Sequence, residues 1–247
     1  MFYEITFSPT GGTKKCADLL SAAWMEKAEI DLMNRKADFA KRFAAEDICL
    51  VAVPSFAGRV PAVAAERLEM MQGGGAKAIL VAVYGNRAYE DTLAELEDIL
   101  KDCGFQPVSG AAVVAEHSIF REFAAGRPDA EDAEQLKGWS EKLKEKAEKG
   151  GEVSFPGNRP YKAYGPIAMK PRAEVCQGCG KCVSRCPVGA ISGNDPKETD
   201  EERCISCMAS VMECPIRARC VEPQLLASVK NKLKNALSGR RESELFL

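Results

Sequence analysis

Cys176-Gln-Gly-Cys179-Gly-Lys-Cys182-Val-Ser-Arg-Cys186-Pro187 and, further along, Cys204-Ile-Ser-Cys207-Met-Ala-Ser210-Val-Met-Glu-Cys214-Pro215 are the stretches around which this chain is organised. The first reads C-x2-C-x2-C-x3-C-P, a run that holds iron–sulfur clusters. The second repeats it at one constant offset, and only Ser210, opposite Cys182, departs from it. Two-residue gaps curl a short loop so that three thiolates point inward at one cube. Gly178 and Gly180 let the backbone approach the inorganic sulfides and donate N–H hydrogen bonds to them. The fourth cysteine, followed by proline, leaves its own loop and ligates the other cluster. That rule assigns Cys176, Cys179, Cys182 and Cys214 to cluster I. Cluster II takes Cys204, Cys207 and Cys186, with Ser210 in the seat of a missing thiolate.

Two competing chemistries fit less well. Structural zinc favours two C-x2-C pairs, not triplets with a trailing C-x3-C-P. A disulfide framework needs an oxidising compartment, and no export signal is expected: the N-terminus opens on a strand-like run instead of a basic segment followed by an apolar stretch. Ser210 leaves three outcomes open: its alkoxide ligates the iron, solvent does, or that iron is lost and a 3Fe–4S cluster remains. Cys220 would substitute only if the chain folded back on itself.

Outward from this core, 247 residues leave room for one ordinary domain plus a small one. Hydrophobic residues make up 46% and charged ones 28%, the balance of a soluble globular chain. A net charge of −2 gives no argument for nucleic acid or for a membrane surface. No apolar run approaches the ~18 residues that span a bilayer. Eleven cysteines is a high count, but the four outside the two runs (Cys16, Cys49, Cys103, Cys220) are scattered. Thiols kept reduced for iron imply the cytoplasm of an oxygen-avoiding microbe.

Residues 1–150 alternate apolar strands with amphipathic helices, the pattern of a parallel sheet covered on both faces. Strands are predicted at Phe2–Phe7, Glu29–Met33, Ile48–Val53, Ala78–Val83 and Ala111–Ala115. Helices are predicted after Gly12, near Pro61–Gln72 and Tyr89–Cys103, and from about Asp129, a plausible N-cap, to Lys149. Right-handed crossovers then predict a flavodoxin-like five-stranded parallel sheet of order 2-1-3-4-5. Residues 151–172 form a Pro/Gly-rich linker expected to lie on the surface through Tyr161 and Tyr164. Residues 173–222 form a small α+β cluster domain, and 223–247 a last helix and tail. That helix, opened by Pro223, has a basic face at Lys230, Lys232 and Lys234. The apolar end Leu245-Phe-Leu247 is expected to dock back on the fold.

Strand one runs into Ser8-Pro-Thr10-Gly11-Gly12-Thr13-Lys14 and straight into a helix. Hydroxyls, glycines and a helix N-terminus make an anion seat, and in this sheet order the turn lies at the switch point where FMN binds. The loops Pro54-Ser55-Phe56-Ala57-Gly58-Arg59 and Tyr84-Gly85-Asn86-Arg87-Ala88-Tyr89 open at the same edge. They offer the aromatic and small walls that a flat ring needs. His117, the only histidine, follows strand five near this edge and is read as a loop residue without a role.

The Ser8–Lys14 turn, the Tyr84–Tyr89 loop, the Gly157–Lys162 stretch and the Cys176–Pro215 pattern together resemble the EFR1-type flavodoxin–ferredoxin fusions of anaerobic bacteria, over nearly the whole chain. The resemblance implies a bacterial ferredoxin domain with two 4Fe–4S clusters on the cysteines above. It also implies FMN held by Thr10, Gly11, Thr13 and the two later loops. Ser210 is the departure. Arg59 and Arg87, in the ring-binding loops, are expected to stabilise the anionic reduced flavin.

The expected function is electron transfer between FMN, two iron–sulfur clusters and a redox partner protein, ferredoxin-like or a reductase. No G-x-G-x-x-G follows any strand, so a nicotinamide site is not expected. The alternatives are a flavin-dependent reductase of a small molecule, fed through its clusters, and an empty scaffold that docks the ferredoxin part. An open slot above the flavin would favour the reductase; a flavin edge covered by the cluster domain would favour the relay.

Overall fold

The computed structural model describes residues 1–163 and 169–247. Five parallel strands form the centre: β1 (Phe2–Thr6), β2 (Ala28–Asp31), β3 (Ile48–Pro54), β4 (Lys77–Tyr84) and β5 (Gln106–Val114). Their order is 2-1-3-4-5, the flavodoxin-like arrangement. Period-two alternation divides the central strands between two cores. Val51, Leu80 and Ala82 face helices α2 (Ala62–Glu69) and α3 (Thr92–Asp102). Leu50, Ile79 and Val81 face α1 (Gly12–Leu20) and α4 (Ala130–Lys149). Both faces are covered, which is why β3 and β4 read as unbroken apolar runs while the edge strand β2 alternates half-buried and exposed. Asp129 caps α4 in a reciprocal capping box with Asp132.

Three features differ from the sequence expectation. Strand β5 starts at Gln106, ahead of the apolar run at Ala111. Pro107, Ser109 and Gly110 disguised it. A Cβ on Gly110 would stand 2.4 Å from the Leu80 carbonyl oxygen and 2.7 Å from the Phe155 ring, so the small residue makes room for the linker's aromatic. The sheet also gains a sixth strand. After β6 (Arg172–Ala173), α5 (Lys181–Arg185), α6 (Ala209–Glu213), β7 (Arg219–Cys220) and α7 (Pro223–Leu237), the apolar tail returns as β8 (Glu244–Phe246), antiparallel to β5. It covers an edge that would otherwise expose unpaired backbone groups. Third, the linker is held by charge rather than by tyrosines alone. Asp91, fully buried, accepts from the Asn158 and Lys162 N–H groups and the Asn158 amide, and Arg159 pairs with Glu97 and Asp98. Tyr161 does donate to Asp98; Tyr164 lies outside the described residues.

The C-terminal part is a small α+β unit in which β6 and β7 pair antiparallel. Its own core joins Met169, Met208, Val221, Val229 and Leu237 to Phe120 from the loop after β5, so α7 ties the cysteine-bearing loops to the sheet. Arg67, buried on α2, donates to the Leu32 and Pro187 carbonyls. Arg185 reaches the Ser8 carbonyl at 3.0 Å. These clamps fix the cysteine loops against the C-terminal edge of the parallel strands. Of the basic face on α7, Lys230 ion-pairs with Glu122.

Candidate functional site

A cavity of about 320 Å3 opens at that edge, within the size range of small-molecule sites. One end is lined by Thr10, Gly12 and Thr13, where Gly11 (φ 89°) turns the chain into α1 without a side-chain cap of its own. The Lys14 N–H is taken by Ser8, and the N–H groups of Gly12 and Thr13 ahead of it suit an anion. The walls include Pro54, Ser55, Phe56, Ala57, Tyr84, Gly85 and Arg87. The residues present therefore fit a flat aromatic ring carrying a phosphate.

Other expected residues sit around the cavity without lining it. The Ser8 hydroxyl accepts from the Lys14 backbone N–H at 2.9 Å and shapes the turn from behind. Gly58 packs against Glu90, where a Cβ would meet the carboxylate at 2.0 Å. Asn86 is buried and donates to the Leu237 and Gly239 carbonyls, holding the end of α7. Tyr89 packs on Tyr84, and its hydroxyl bonds Glu244 of the tail. The expectation of two arginines facing the ring is corrected for Arg59: its guanidinium forms a two-pronged pair with Glu95 at 2.7 Å and donates to the Lys162 carbonyl. Arg87 does line the cavity but is paired with Glu90 at 2.6 Å. Lys14 turns away to Glu4, Asp18 and Glu29. Lys27 joins the same trio, so these three carboxylates form an ion-pair network with lysines threaded through it.

Sequence reasoning missed much of the far wall. The loop after β5 contributes Glu116, His117 and Ser118. Its signal was available, since every loop leaving the C-terminal ends of parallel strands converges on this edge. His117 accepts at Nδ1 from the Ile119 and Phe120 N–H groups, and burial lowers it to about 4, so the ring is neutral. Lys162, Met169, Ile205, Ser206, Cys207 and Leu233 also line the cavity. They come from the linker, the second cysteine run and α7, and no local pattern marked them.

The cysteines gather in two hollows. Cys176, Cys179, Cys182 and Cys214 line one, together with Arg219. Cys186, Cys204, Cys207 and Ser210 line the other. Cys220 is exposed and lines neither. Helices α5 and α6 are backbone replicas: Gly180 (φ 71°) and Met208 (φ 62°) cap them in the left-handed region, and Cys186 and Cys214 end them extended. Gly178 and Gly189 of the first copy, also at positive φ, correspond to Ser206 (φ 56°) and Arg217 (φ 53°) in the second. The second copy thus keeps the backbone shape against the side-chain preference for it. Backbone N–H groups of Gly178, Ala190 and Ala218 donate to the Cys176, Cys186 and Cys214 sulfurs.

This donor set fits a soft-metal cluster. Burial pushes Cys207 up to about 12 and raises Cys204 and Cys182, so these thiols keep their protons unless a metal displaces them. Burial also works against the Cys214 thiolate but is outweighed by N–H groups of Arg219, Ala218 and Ile216, which lower it. Arg219 is buried, and its Nε–H lacks a partner among the described residues, a cation suited to balance an anionic cluster.

Residues 170–192 match the family described as 4Fe-4S binding domain. No curated protein matches the chain. Among solved structures, the chain is similar to a flavodoxin of Streptococcus pneumonia TIGR4, at 21% identity and TM-score 0.42, over 59% of this chain and 99% of that one. It is also similar to oxidised Flavodoxin 1 from Bacillus cereus, at 19% identity and TM-score 0.44, over 58% of this chain and 97% of that one. A third likeness is to rubredoxin oxygen:oxidoreductase from Desulfovibrio gigas, at 13% identity and TM-score 0.42; it covers 60% of this chain but only 36% of that protein. The assignment of the N-terminal fold rests on its strand order. The molecule is a flavodoxin-like sheet joined to a ferredoxin-type domain, and no described helix is long and apolar enough to cross a membrane.

Proposed function

We propose that this chain is an electron-transfer protein holding FMN in the cavity at the sheet edge and two iron–sulfur clusters in the two cysteine hollows. One observation carries the reading: Ile205 and Cys207 line both the cavity and the second cysteine hollow. The two cofactor seats share a wall one side chain thick. When bound, the flavin exchanges one or two electrons and each cluster one, which lets partners of different stoichiometry be coupled.

The chain's own residues do the rest. Thr10, Gly12 and Thr13 seat the phosphate end, Phe56 and Tyr84 flank the ring, and Arg87 supplies a nearby cation. Met169 and Leu233, from the C-terminal part, line the same cavity. A flavin seat lined in part by the cluster-bearing part of the chain supports the relay over a stand-alone reductase. At the other end Cys179 is exposed, which offers an outer terminal to a redox partner, a ferredoxin-like protein or a reductase. Thiols kept reduced suit the cytoplasm of an oxygen-avoiding cell.

Anaerobic reconstitution followed by counting FMN, iron and acid-labile sulfide per chain tests the proposal. The expected product is yellow-brown, with stoichiometric FMN and two clusters whose reduced spins interact in EPR. Protein that takes up iron and sulfide but no flavin would overturn the relay and leave a docking scaffold.

A further inference from the structure

We infer that Ser210 holds the corner iron of the flavin-side cluster by oxygen, and that this makes the corner an exchangeable metal site inside the internal wire. The inference rests on the proposed cluster in the second hollow. Four observations carry it. Ser210 is the second residue of α6, as Cys182 is of α5, and the two helices share the same left-handed entry and extended exit. The backbone therefore delivers a serine Cβ where the first copy delivers a cysteine Cβ. Ser210 is 8% exposed, so bulk solvent competes poorly for the seat. It lines the hollow with Cys186, Cys204 and Cys207. The remaining candidate thiol, Cys220, is exposed on β7 and outside the hollow.

The chemistry follows from the donor. Carbon–oxygen and metal–oxygen bonds are shorter than their sulfur counterparts, so a serine fixed in a cysteine's place under-reaches the metal. Oxygen is also the harder ligand, and clusters of this type favour thiolate. Three iron corners are held by thiolates and one is held weakly. A one-electron oxidant such as ferricyanide then completes a balanced step: a 4Fe–4S core of charge 2+ loses one electron and one Fe(II), leaving a 3Fe–4S core of charge 1+. The hydroxyl keeps its proton, and the departing iron takes water. Ferrous iron with a one-electron reductant reverses the step. Because Cys207 also lines the flavin cavity, the state of this corner sets the potential of the cluster nearest the flavin.

The test compares wild type, Ser210→Cys and Ser210→Ala, reconstituted anaerobically, titrated with ferricyanide, and assayed for iron, sulfide and EPR before and after. Wild type should release one iron per chain, keep its sulfide and develop the 3Fe–4S spin signal. Ser210→Cys should retain that iron at the same oxidant dose, and Ser210→Ala should release it at a lower one. Iron retention in wild type equal to that of Ser210→Cys overturns the labile corner. Release from Ser210→Ala at the wild-type dose overturns the oxygen ligand. If wild type takes up no sulfide at all, the proposed clusters fail, and the sulfide count separates that result from failure of the corner.

Discussion

Replacing Gly85 by alanine puts one methyl group where the structure has no room for it. The added Cβ would lie 2.8 Å from His117 Cδ2 and 2.9 Å from its Cα. Ordinary contact begins at 3.4 Å, so the neighbouring loop must retreat by roughly half an ångström. Rotating the His117 ring does not relieve the contact at its Cα, which cannot yield alone because the backbone N–H of His117 donates to the Phe123 carbonyl and its Nδ1 accepts from two amides. Overpacking of this kind costs about 1–3 kcal/mol. With a denaturant slope of about 2 kcal/mol per molar, the urea midpoint of cofactor-free protein should fall by about 1 M. Gly12→Ala is the matched control: it lines the same cavity, yet its Cβ would meet only Ala115 Cβ at 3.7 Å. Its stability should stay within about 0.5 kcal/mol of wild type. Flavin fluorescence titration should show weaker FMN binding for Gly85→Ala, since Gly85 and the displaced His117 both line the cavity. A Gly85→Ala protein as stable as Gly12→Ala would refute the packing of the β4 and β5 loops that the site depends on.

Four other expectations follow from the same contacts. In cofactor-free protein, burial holds His117 near 4 against its ordinary 6.5; the unfolded chain therefore takes up a proton that the native one refuses, and stability falls by at most about 3 kcal/mol as pH drops through this window. His117→Asn should flatten that slope in urea melts across pH, and parallel profiles would reject it. Asp91→Ala removes the acceptor of three linker donors and should cost about 2–3 kcal/mol, with faster protease cleavage between Phe155 and Lys162. Burial would raise Asp91, but those donors outweigh it and lower it, so its contribution is full above the unfolded carboxylate range and is lost as pH falls through the depressed value. Deleting residues 243–247 strips β8 from β5 and removes the Ser243 hydroxyl that accepts from the Val114 N–H; size-exclusion chromatography should show self-association through the bared edge. Arg217→Gly relieves a side chain at φ 53° and should raise stability by about 1 kcal/mol, read by thermal melts of the holo protein.

The cysteine spacing and the order of the parallel sheet were legible in the residues alone. Cluster ligation is a local demand, satisfied by thiolates a few positions apart, and buried parallel strands announce themselves as apolar runs. The switch-point turn at Thr10–Thr13 followed from the same order. What was not legible was everything that depended on one segment meeting a distant one. Arg59 sits in a ring-binding loop yet is spent on Glu95, thirty-six positions away. The apolar end of the chain carried a hint of docking, but nothing told which edge it would pair with. Above all, Ile205 and Cys207 reached the flavin-sized cavity only because Arg67, Arg185 and the α7 core hold the second domain against the first. Periodicity and spacing record contacts within a turn or a loop; contacts between domains obey shape and charge across space, and only the folded chain could decide them.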